Sequence, residues 1–312
     1  MIMDEPKSFF SQLDPKSALV VGLVGGVLSV GTIGFIVLGA IMFKGKDIGT
    51  PAPAASAPVA VQGPSPTAPS APASNLPKTS KPKVELFVMS YCPFGLQMEK
   101  AAAPAWELLK NKADISVKFV SYAMHGKKEV DENTRQHCIQ TEQSAKYQAY
   151  LKCFFGAGQN DGNEAGYQQC LTAVDVNQSA LASCISRTDK KFGVMAKYND
   201  QGSWLNGRYP VFPIHADLSR KYGVQGSPTL VVNGVTLASS EEDFAQCQAL
   251  GAQCVLYPVN RTPEALKQVI CAAFTNPPAE CQKTLSNSSY GAGFGTELSA
   301  GGPAAAQPGC GT

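Results

Sequence analysis

Between a predicted strand and a predicted helix stands the stretch SYCPFG, residues 90–95. The residues before it, Val84–Met89, are mostly apolar or β-branched, and the run is short enough for a buried strand. The residues after it, Phe94–Lys110, carry apolar side chains at helical spacing, and Ile115–Val120 has the character of a second strand. Strand, helix and strand at this spacing predict a parallel βαβ unit in an α/β fold.

The cysteine of this stretch, Cys92, falls where the predicted helix begins. A sulfur there lies near the unpaired backbone N–H groups of a helix N-terminus, whose positive end stabilises a thiolate and lowers the thiol pKa. Pro93 suits the first turn of a helix, where the missing N–H is not needed. The position therefore makes Cys92 a candidate nucleophile.

A second segment, residues 221–232, reads KYGVQGSPTLVV and leads into a predicted hairpin around Asn233-Gly234. Its Gly-Val-x-Gly-Ser-Pro-Thr pattern, together with SYCPFG ahead of a helix, resembles the thioredoxin superfamily. The long helix-prone stretch between the two segments resembles the insertion of the DsbA-type thiol oxidoreductases. Its several cysteines resemble, more loosely, the gamma-interferon-inducible lysosomal thiol reductases. The resemblance covers about Lys83–Phe274.

This resemblance implies a thioredoxin-like fold with a helical insertion over about residues 127–213. It also implies a cis peptide bond before Pro228, which would face Cys92 as the second catalytic position. The backbone of Ser227, with Pro93 and Phe94, would then bind an extended peptide substrate. No cofactor is implied; the implied partners are protein or peptide thiols and disulfides, with a small thiol or a membrane redox protein as electron partner.

The sequence departs from the family pattern at two positions. Gly95 stands where the second cysteine of Cys-x-x-Cys is expected, and Leu86 stands where relatives place a buried acid six residues before the first cysteine. Glu85 is one residue away, which in a strand points its side chain to the opposite face. We therefore predict a thiol–disulfide oxidoreductase or isomerase that acts through a single cysteine. The alternative is a redox-inactive binding module, such as a chaperone or a subunit of an envelope complex.

The ten cysteines are spread over residues 92–310 without any CxxC pair, and only three histidines accompany them. Metal ligands usually occur as closely spaced pairs, so disulfides in an oxidising compartment are predicted and no metal site. Cys247 with Cys254, and Cys271 with Cys281, are predicted to form short structural disulfides. Four cysteines of the insertion form two more, with three connectivities open: Cys138, Cys153, Cys170 and Cys184.

Cys92 and Cys310 remain after these pairings. A flexible tail could bring Cys310 to Cys92 as a resolving cysteine, because loop-closure entropy grows only with the logarithm of the loop length. The alternatives are an intermolecular crosslink or an unpaired tail thiol.

The N-terminal region predicts a membrane anchor. Residues 18–43 carry no charged side chain, and as a helix they would span about 39 Å, more than the roughly 30 Å of a hydrocarbon core. Residues 1–17 precede this span, and residues 44–80 form a linker rich in Pro and Ala. The cysteines favour an extracytoplasmic location, periplasmic or extracellular, for the domain at residues 81–285.

Two further expectations follow from composition. The 26 Lys and Arg residues barely exceed the 24 Asp and Glu residues, so no basic surplus favours nucleic-acid binding. Residues 286–312 are mostly Ser, Gly and Ala with little to bury, and are predicted to be a disordered tail.

Overall fold

The computed structural model describes residues 76–157, 164–298 and 309–311. The predicted membrane span at 18–43 and nearly all of the predicted linker lie outside these ranges, so both stay predictions. Within the described ranges, no helix combines the length and the apolar character needed to cross a membrane.

The main sheet has five strands: β1 (Lys83–Val88), β2 (Asp114–Phe119), β4 (Thr229–Val232), β5 (Val235–Ala238) and β6 (Cys254–Leu256). Their order is β2-β1-β4-β5-β6. β1 is parallel to β2 and antiparallel to β4, and β5 is antiparallel to β4 and parallel to β6. Two further strands of two residues each, β3 (Gly226–Ser227) and β7 (Cys310–Gly311), pair outside this sheet.

Nine α-helices are described: α1 (Pro93–Leu109), α2 (Lys127–Glu142), α3 (Ser144–Ala157), α4 (Glu164–Ala173), α5 (Gln178–Phe192), α6 (Val194–Asn199), α7 (Ala216–Lys221), α8 (Glu241–Ala249) and α9 (Pro263–Ala272). Short 3-10 turns occupy Gln201–Ser203 and Ala279–Gln282. Helices α2–α6 therefore form the predicted insertion between β2 and the cis-proline segment. Thr262 is the N-cap of α9, and its hydroxyl accepts a hydrogen bond from the Ala265 N–H.

The βαβ unit β1–α1–β2, followed by the antiparallel hairpin β4–β5 and by α9, is the arrangement of a thioredoxin-like fold. Alternate residues of β1 serve opposite sides of the sheet. Leu86 and Val88 belong to the larger core cluster, which includes residues of α1 and α9. Phe87 and Met89 belong to a smaller cluster that contains Cys92 and Tyr222. The sheet thus carries the site on one face and the main core on the other.

The folded region begins earlier than the predicted Lys81. Leu76 is buried, and the Thr79 N–H donates to the Ala273 carbonyl while Thr79 O accepts from the Thr275 N–H. These contacts join residues almost two hundred positions apart, so the local composition gives no signal for them.

The prediction of a disordered tail from residue 286 is wrong for two stretches. Tyr290–Leu298 is hydrogen-bonded to α1, and Cys310–Gly311 forms β7. The first stretch is held through its backbone and through the Phe294 ring, which packs against Tyr91 and Phe154. The second pairs with β3 through its backbone, so a few apolar side chains are enough to order the tail.

Candidate functional site

Cys92 is the N-cap of α1 and is fully buried. Its Sγ lies 3.4 Å from the backbone N of Gly95, the geometry in which a helix N-terminus stabilises negative charge on sulfur. Pro93 occupies the first helical position, as expected. The cysteine, the proline and the helix start therefore stand where the sequence predicts them.

Cys92 forms a disulfide with Cys310, which lies 218 positions later in the sequence, and the two Cα atoms are 6.1 Å apart. The sequence left three fates open for Cys310: a resolving cysteine, an intermolecular crosslink or a free thiol. The structure pairs the tail cysteine with Cys92 of the same chain. Cys310 is half-buried, whereas Cys92 is fully enclosed.

The tail strand β7 lies along the segment before the cis-proline. β3 and β7 are antiparallel, with Ser227 opposite Cys310 and Gly226 opposite Gly311. The Ser227–Pro228 bond is cis, as the resemblance implies, and the Ser227 carbonyl oxygen lies 3.4 Å from Cys92 Sγ. The tail thus occupies the position that the resemblance assigns to an extended peptide substrate.

An apolar wall surrounds the disulfide. The residues packed with Cys92 and Cys310 in one cluster include Phe94, Met124, Tyr122 and Tyr209. The Tyr122 hydroxyl donates to the Gln225 carbonyl at 2.7 Å, which holds this wall against the segment that precedes β3. Phe94 stacks against the Arg261 guanidinium, 5.5 Å from its ring centre, so one candidate substrate-binding side chain has a fixed partner.

Ser227 fills the space next to Gly95. A Cβ built on Gly95 would lie 2.5 Å from Ser227 Oγ and 3.2 Å from the Met89 carbonyl oxygen. The Ser227 hydroxyl is fixed there because it accepts a hydrogen bond from the Met89 N–H at 2.9 Å. A second cysteine at position 95 would therefore require the Ser227 side chain to move.

Two buried polar side chains of α2 hold the loop that carries Cys92. Glu129 accepts from the backbone N–H of Tyr91 at 3.0 Å and from that of Met124 at 2.8 Å. Asn133, one turn later, accepts from the Ser90 N–H at 3.1 Å. The insertion therefore positions the Cys92 loop through two side chains that the sequence pattern does not indicate. A Glu and an Asn four residues apart give no signal without knowledge of what α2 packs against.

A segment that we call the glycine strap, Tyr290–Leu298, is fastened beside the site. Lys100 of α1 donates to the carbonyl oxygens of Gly291, Gly293 and Gly295, at 2.7, 2.7 and 2.9 Å. Burial lowers the pKa of Lys100 to about 8. The Gly293 N–H donates to the Pro93 carbonyl, so the strap is fixed next to Cys92 and only residues 299–308 separate it from Gly309.

The acids near the site differ from the family pattern. Glu85 is buried on the Phe87 side of the sheet, 3.0 Å from Lys83 Nζ, so it does not replace the missing acid at Leu86. Glu99, two turns along α1 from Cys92, is fully buried, and neither of its oxygens has a hydrogen-bond partner among the described residues. Burial, and next the charge of Glu132, raises the pKa of Glu99 to about 8.

The other eight cysteines also pair. Cys247 bonds with Cys254 and Cys271 with Cys281, the two short disulfides that the sequence predicts. In the insertion, the structure selects one of the three connectivities, Cys138–Cys184 and Cys153–Cys170.

The described chain is thus a thioredoxin-like domain whose site holds a disulfide between a helix N-cap and the tail. No protein-family model matches it, and no curated protein matches it significantly. It is similar to MdbA, a thiol-disulfide oxidoreductase from Actinomyces oris, with 14% identity, a TM-score of 0.38, and 63% of this chain and 83% of that chain covered.

Two further solved structures are similar. A thioredoxin-like oxidoreductase from Silicibacter pomeroyi has 18% identity and a TM-score of 0.32, covering 53% of this chain and 83% of that chain. The thiol-disulfide exchange protein alpha-DsbA2 from Wolbachia pipientis has 15% identity and a TM-score of 0.31, covering 51% of this chain and 76% of that chain. The identities and TM-scores of all three are low. The assignment of the fold therefore rests on the strand order, the βαβ unit and the hairpin described above.

Proposed function

We propose that this protein is a thiol–disulfide oxidoreductase in which Cys92 is the catalytic nucleophile and Cys310 is its resolving partner. The observation that carries the proposal is the disulfide between Cys92, at the N-terminus of α1, and Cys310, on a strand beside the cis-proline. The single-cysteine mechanism expected from Gly95 is replaced in this proposal by a pair in which the tail supplies the second sulfur.

Reduction of the pair starts at Cys310. Its sulfur is on the more accessible residue, and Cys92 is the better leaving thiolate because the N–H groups of α1 stabilise its charge. An external thiolate bonds to Cys310 Sγ, the Cys92–Cys310 bond breaks, and its electron pair goes to Cys92. A second thiolate attacks the first one's sulfur and releases Cys310. Two external thiols have then become one disulfide and have passed two electrons to the pair.

Transfer to substrate uses the Cys92 thiolate. It attacks a protein disulfide, so that one substrate sulfur bonds to Cys92 and the other leaves as a thiolate. Cys310 then attacks Cys92 Sγ, which re-forms the Cys92–Cys310 disulfide and releases the second substrate thiolate. The same steps in reverse oxidise a substrate dithiol, and the redox partner, a small thiol or a membrane protein, sets the direction.

The variants Cys92→Ser and Cys310→Ser test this proposal in a reduction assay on a disulfide-bonded protein, with reduced glutathione as the thiol. We expect Cys92→Ser to have no thiol-transfer activity. Cys310→Ser should accumulate a Cys92–substrate disulfide, seen by mass spectrometry after acid quenching, and turn over at least about tenfold more slowly, because release then depends on an external thiol. The double variant C271A/C281A, which lacks a disulfide outside the site, is the control and should keep its transfer activity.

Full function of Cys92→Ser in the host would overturn the proposal. It would favour the redox-inactive binding module. In that case the groove along β3, which Cys310–Gly311 occupies, would serve only to hold a peptide.

The proposal includes the predicted anchor, with residues 18–43 in a membrane and the thioredoxin-like domain outside the cytoplasm. Its support is the uncharged run and the number of disulfides. Membrane fractionation and labelling of whole cells with an impermeant maleimide, after mild reduction, test it. Labelling that requires cell lysis would contradict the extracytoplasmic location.

A further inference from the structure

Gly226 of β3 is placed so that a strand can lie on it. A Cβ at Gly226 would be 2.5 Å from the Cys310 carbonyl oxygen and 3.1 Å from Gly311 Cα. The three atoms nearest to that Cβ all belong to the tail, and the conformation of Gly226 is one that other residues adopt. A side chain at position 226 would therefore clash with the strand in the groove and not with the core of the domain.

The two glycines that flank Cys310 fit the groove differently. A Cβ at Gly309 would lie 2.9 Å from the Ser227 carbonyl oxygen, a backbone atom that cannot move without shifting the cis-proline segment. A Cβ at Gly311 would have its nearest neighbour, Gly226 Cα, at 3.6 Å, which is an ordinary van der Waals contact. The groove thus excludes a side chain immediately before the bound cysteine and accepts a small one immediately after it.

We propose that this groove selects extended protein segments in which glycine immediately precedes the reacting cysteine, and that Gly309–Gly311 is a tethered competitor with this sequence. The inference rests on the proposed function, since it concerns the substrate of the same Cys92. A segment of this kind pairs with β3 through its backbone, as β7 does, and presents its sulfur to Cys92 beside the Ser227 carbonyl.

The competitor also explains how product leaves the groove. While a substrate is bound to Cys92, the tail is displaced, and its return both breaks the mixed disulfide and refills the groove. Fastening by the glycine strap leaves Cys310 12 positions after Leu298, against 24 positions after Ser286, whose carbonyl accepts a hydrogen bond from the Glu264 N–H of α9. Loop closure then favours the return of Cys310 by about threefold over a tail that is held only up to Ser286.

Short blocked peptides test the selectivity on the Cys310→Ser chain, which has no competing thiol. Each peptide carries its cysteine as a mixed disulfide with 5-thio-2-nitrobenzoate. Attack by the Cys92 thiolate on the peptide sulfur releases the coloured thiolate and leaves the peptide on Cys92. The series compares Gly-Cys-Gly with Ala or Val before the cysteine, and with Ala or Val after it. Rates are divided by those of free glutathione with the same peptides.

We expect Val before the cysteine to slow the reaction by about tenfold or more, because its Cβ meets the Ser227 backbone. Ala after the cysteine should change the rate by less than about threefold. If the same residue slows the reaction equally before and after the cysteine, or at neither position, the selectivity is overturned and the proposed function stands. Failure of every peptide to react with Cys92 while glutathione reacts would overturn both.

Discussion

The helical insertion and the C-terminal tail are both closed by disulfides, but their cysteines lie in different surroundings. In the insertion, Cys138 and Cys184 join α2 to α5 and are 1% and 3% exposed, inside the main core. In the tail, Cys310 lies on a two-residue strand between glycines, and its strand is held mainly by backbone pairing with β3. Breaking the first bond leaves the helices packed together, whereas breaking the second leaves little to hold the strand.

The difference indicates which disulfide is built to exchange. A disulfide inside a packed core is shielded from attacking thiols, and its cysteines stay close together after reduction. A disulfide between the core and a short strand is accessible from the strand side, and reduction lets one sulfur leave while the other stays at a helix N-terminus. Position relative to the core, more than the number of cysteines, separates the structural pairs from the candidate redox pair.

The Cys138–Cys184 disulfide of the insertion should contribute strongly to stability. The double variant C138A/C184A opens a disulfide of 46 positions, and the chain-entropy relation gives a loss of about 4 kcal/mol in the free energy of unfolding. Urea unfolding followed by far-UV circular dichroism measures this loss. Thiol transfer by the fraction that remains folded should stay close to wild type, because neither cysteine contacts Cys92.

A loss below about 1 kcal/mol would contradict this prediction, because packing alone would then hold α2 against α5. Loss of thiol transfer in the folded variant would mean that the insertion disulfide takes part in the exchange chemistry, and it would contradict the assignment of that disulfide as structural.

The sequence predicts the parts of this site that depend on local pattern. Cys92 at a helix start, Pro228 before the hairpin and the Asn233-Gly234 turn each follow from a few adjacent residues, and the turn has the two positive φ angles, 48° and 85°, that such hairpins need. The two short disulfides follow from spacing. These features do not require knowledge of distant neighbours.

The parts that the sequence does not predict depend on distant contacts. Glu129 and Asn133 act on the backbone of residues 90 and 91, and Lys100 binds three carbonyl groups of a glycine-rich segment almost two hundred positions away. Backbone carbonyls are the same in every sequence, so a lysine that binds them leaves no pattern. The tail, mostly Ser, Gly and Ala, is therefore predicted from its composition to be disordered although distant residues bind its backbone.

The stability of the domain should also depend on pH through Glu99 of α1. Glu99 has an ordinary pKa of 4.5 when unfolded and a pKa of about 8 when folded, because of burial and then of Glu132. The folded state therefore binds more protons between these values, and the free energy of unfolding should fall as pH rises through this window. The slope from this one group is at most about 1.4 kcal/mol per pH unit.

Glu99→Gln removes the titrating group and keeps the shape of the protonated acid. Urea unfolding at several pH values between about 5 and 8 should show a flatter dependence for this variant than for wild type. Glu107→Gln, at an exposed position of the same helix, is the control and should keep the wild-type slope. Parallel slopes for wild type and Glu99→Gln would show that Glu99 is ionised in the folded protein at neutral pH.

The smallest effect concerns the tether of the tail. Lys100→Met removes the three hydrogen bonds to the glycine strap and keeps a side chain of similar length. If the strap then detaches, the separation between Cys310 and the residue that fastens the tail lengthens from 12 positions, counted from Leu298, to 24, counted from Ser286. Loop closure predicts that the effective concentration of Cys310 at Cys92 falls by about threefold.

The ratio of oxidised to reduced Cys92–Cys310, measured by alkylation and mass spectrometry in glutathione buffers of known ratio, reports that concentration directly. Lys110→Met is the matched control, since Lys110 follows the same helix and is exposed beside Glu107. It should leave the ratio within about 1.5-fold of wild type. An unchanged ratio in Lys100→Met would mean that the strap does not set the tether, so that docking of β7 on β3 alone brings Cys310 to Cys92. A fall of a hundredfold or more would mean that the strap shapes the groove that β7 occupies. The strap would then act as part of the folded core and not as a tether of the tail.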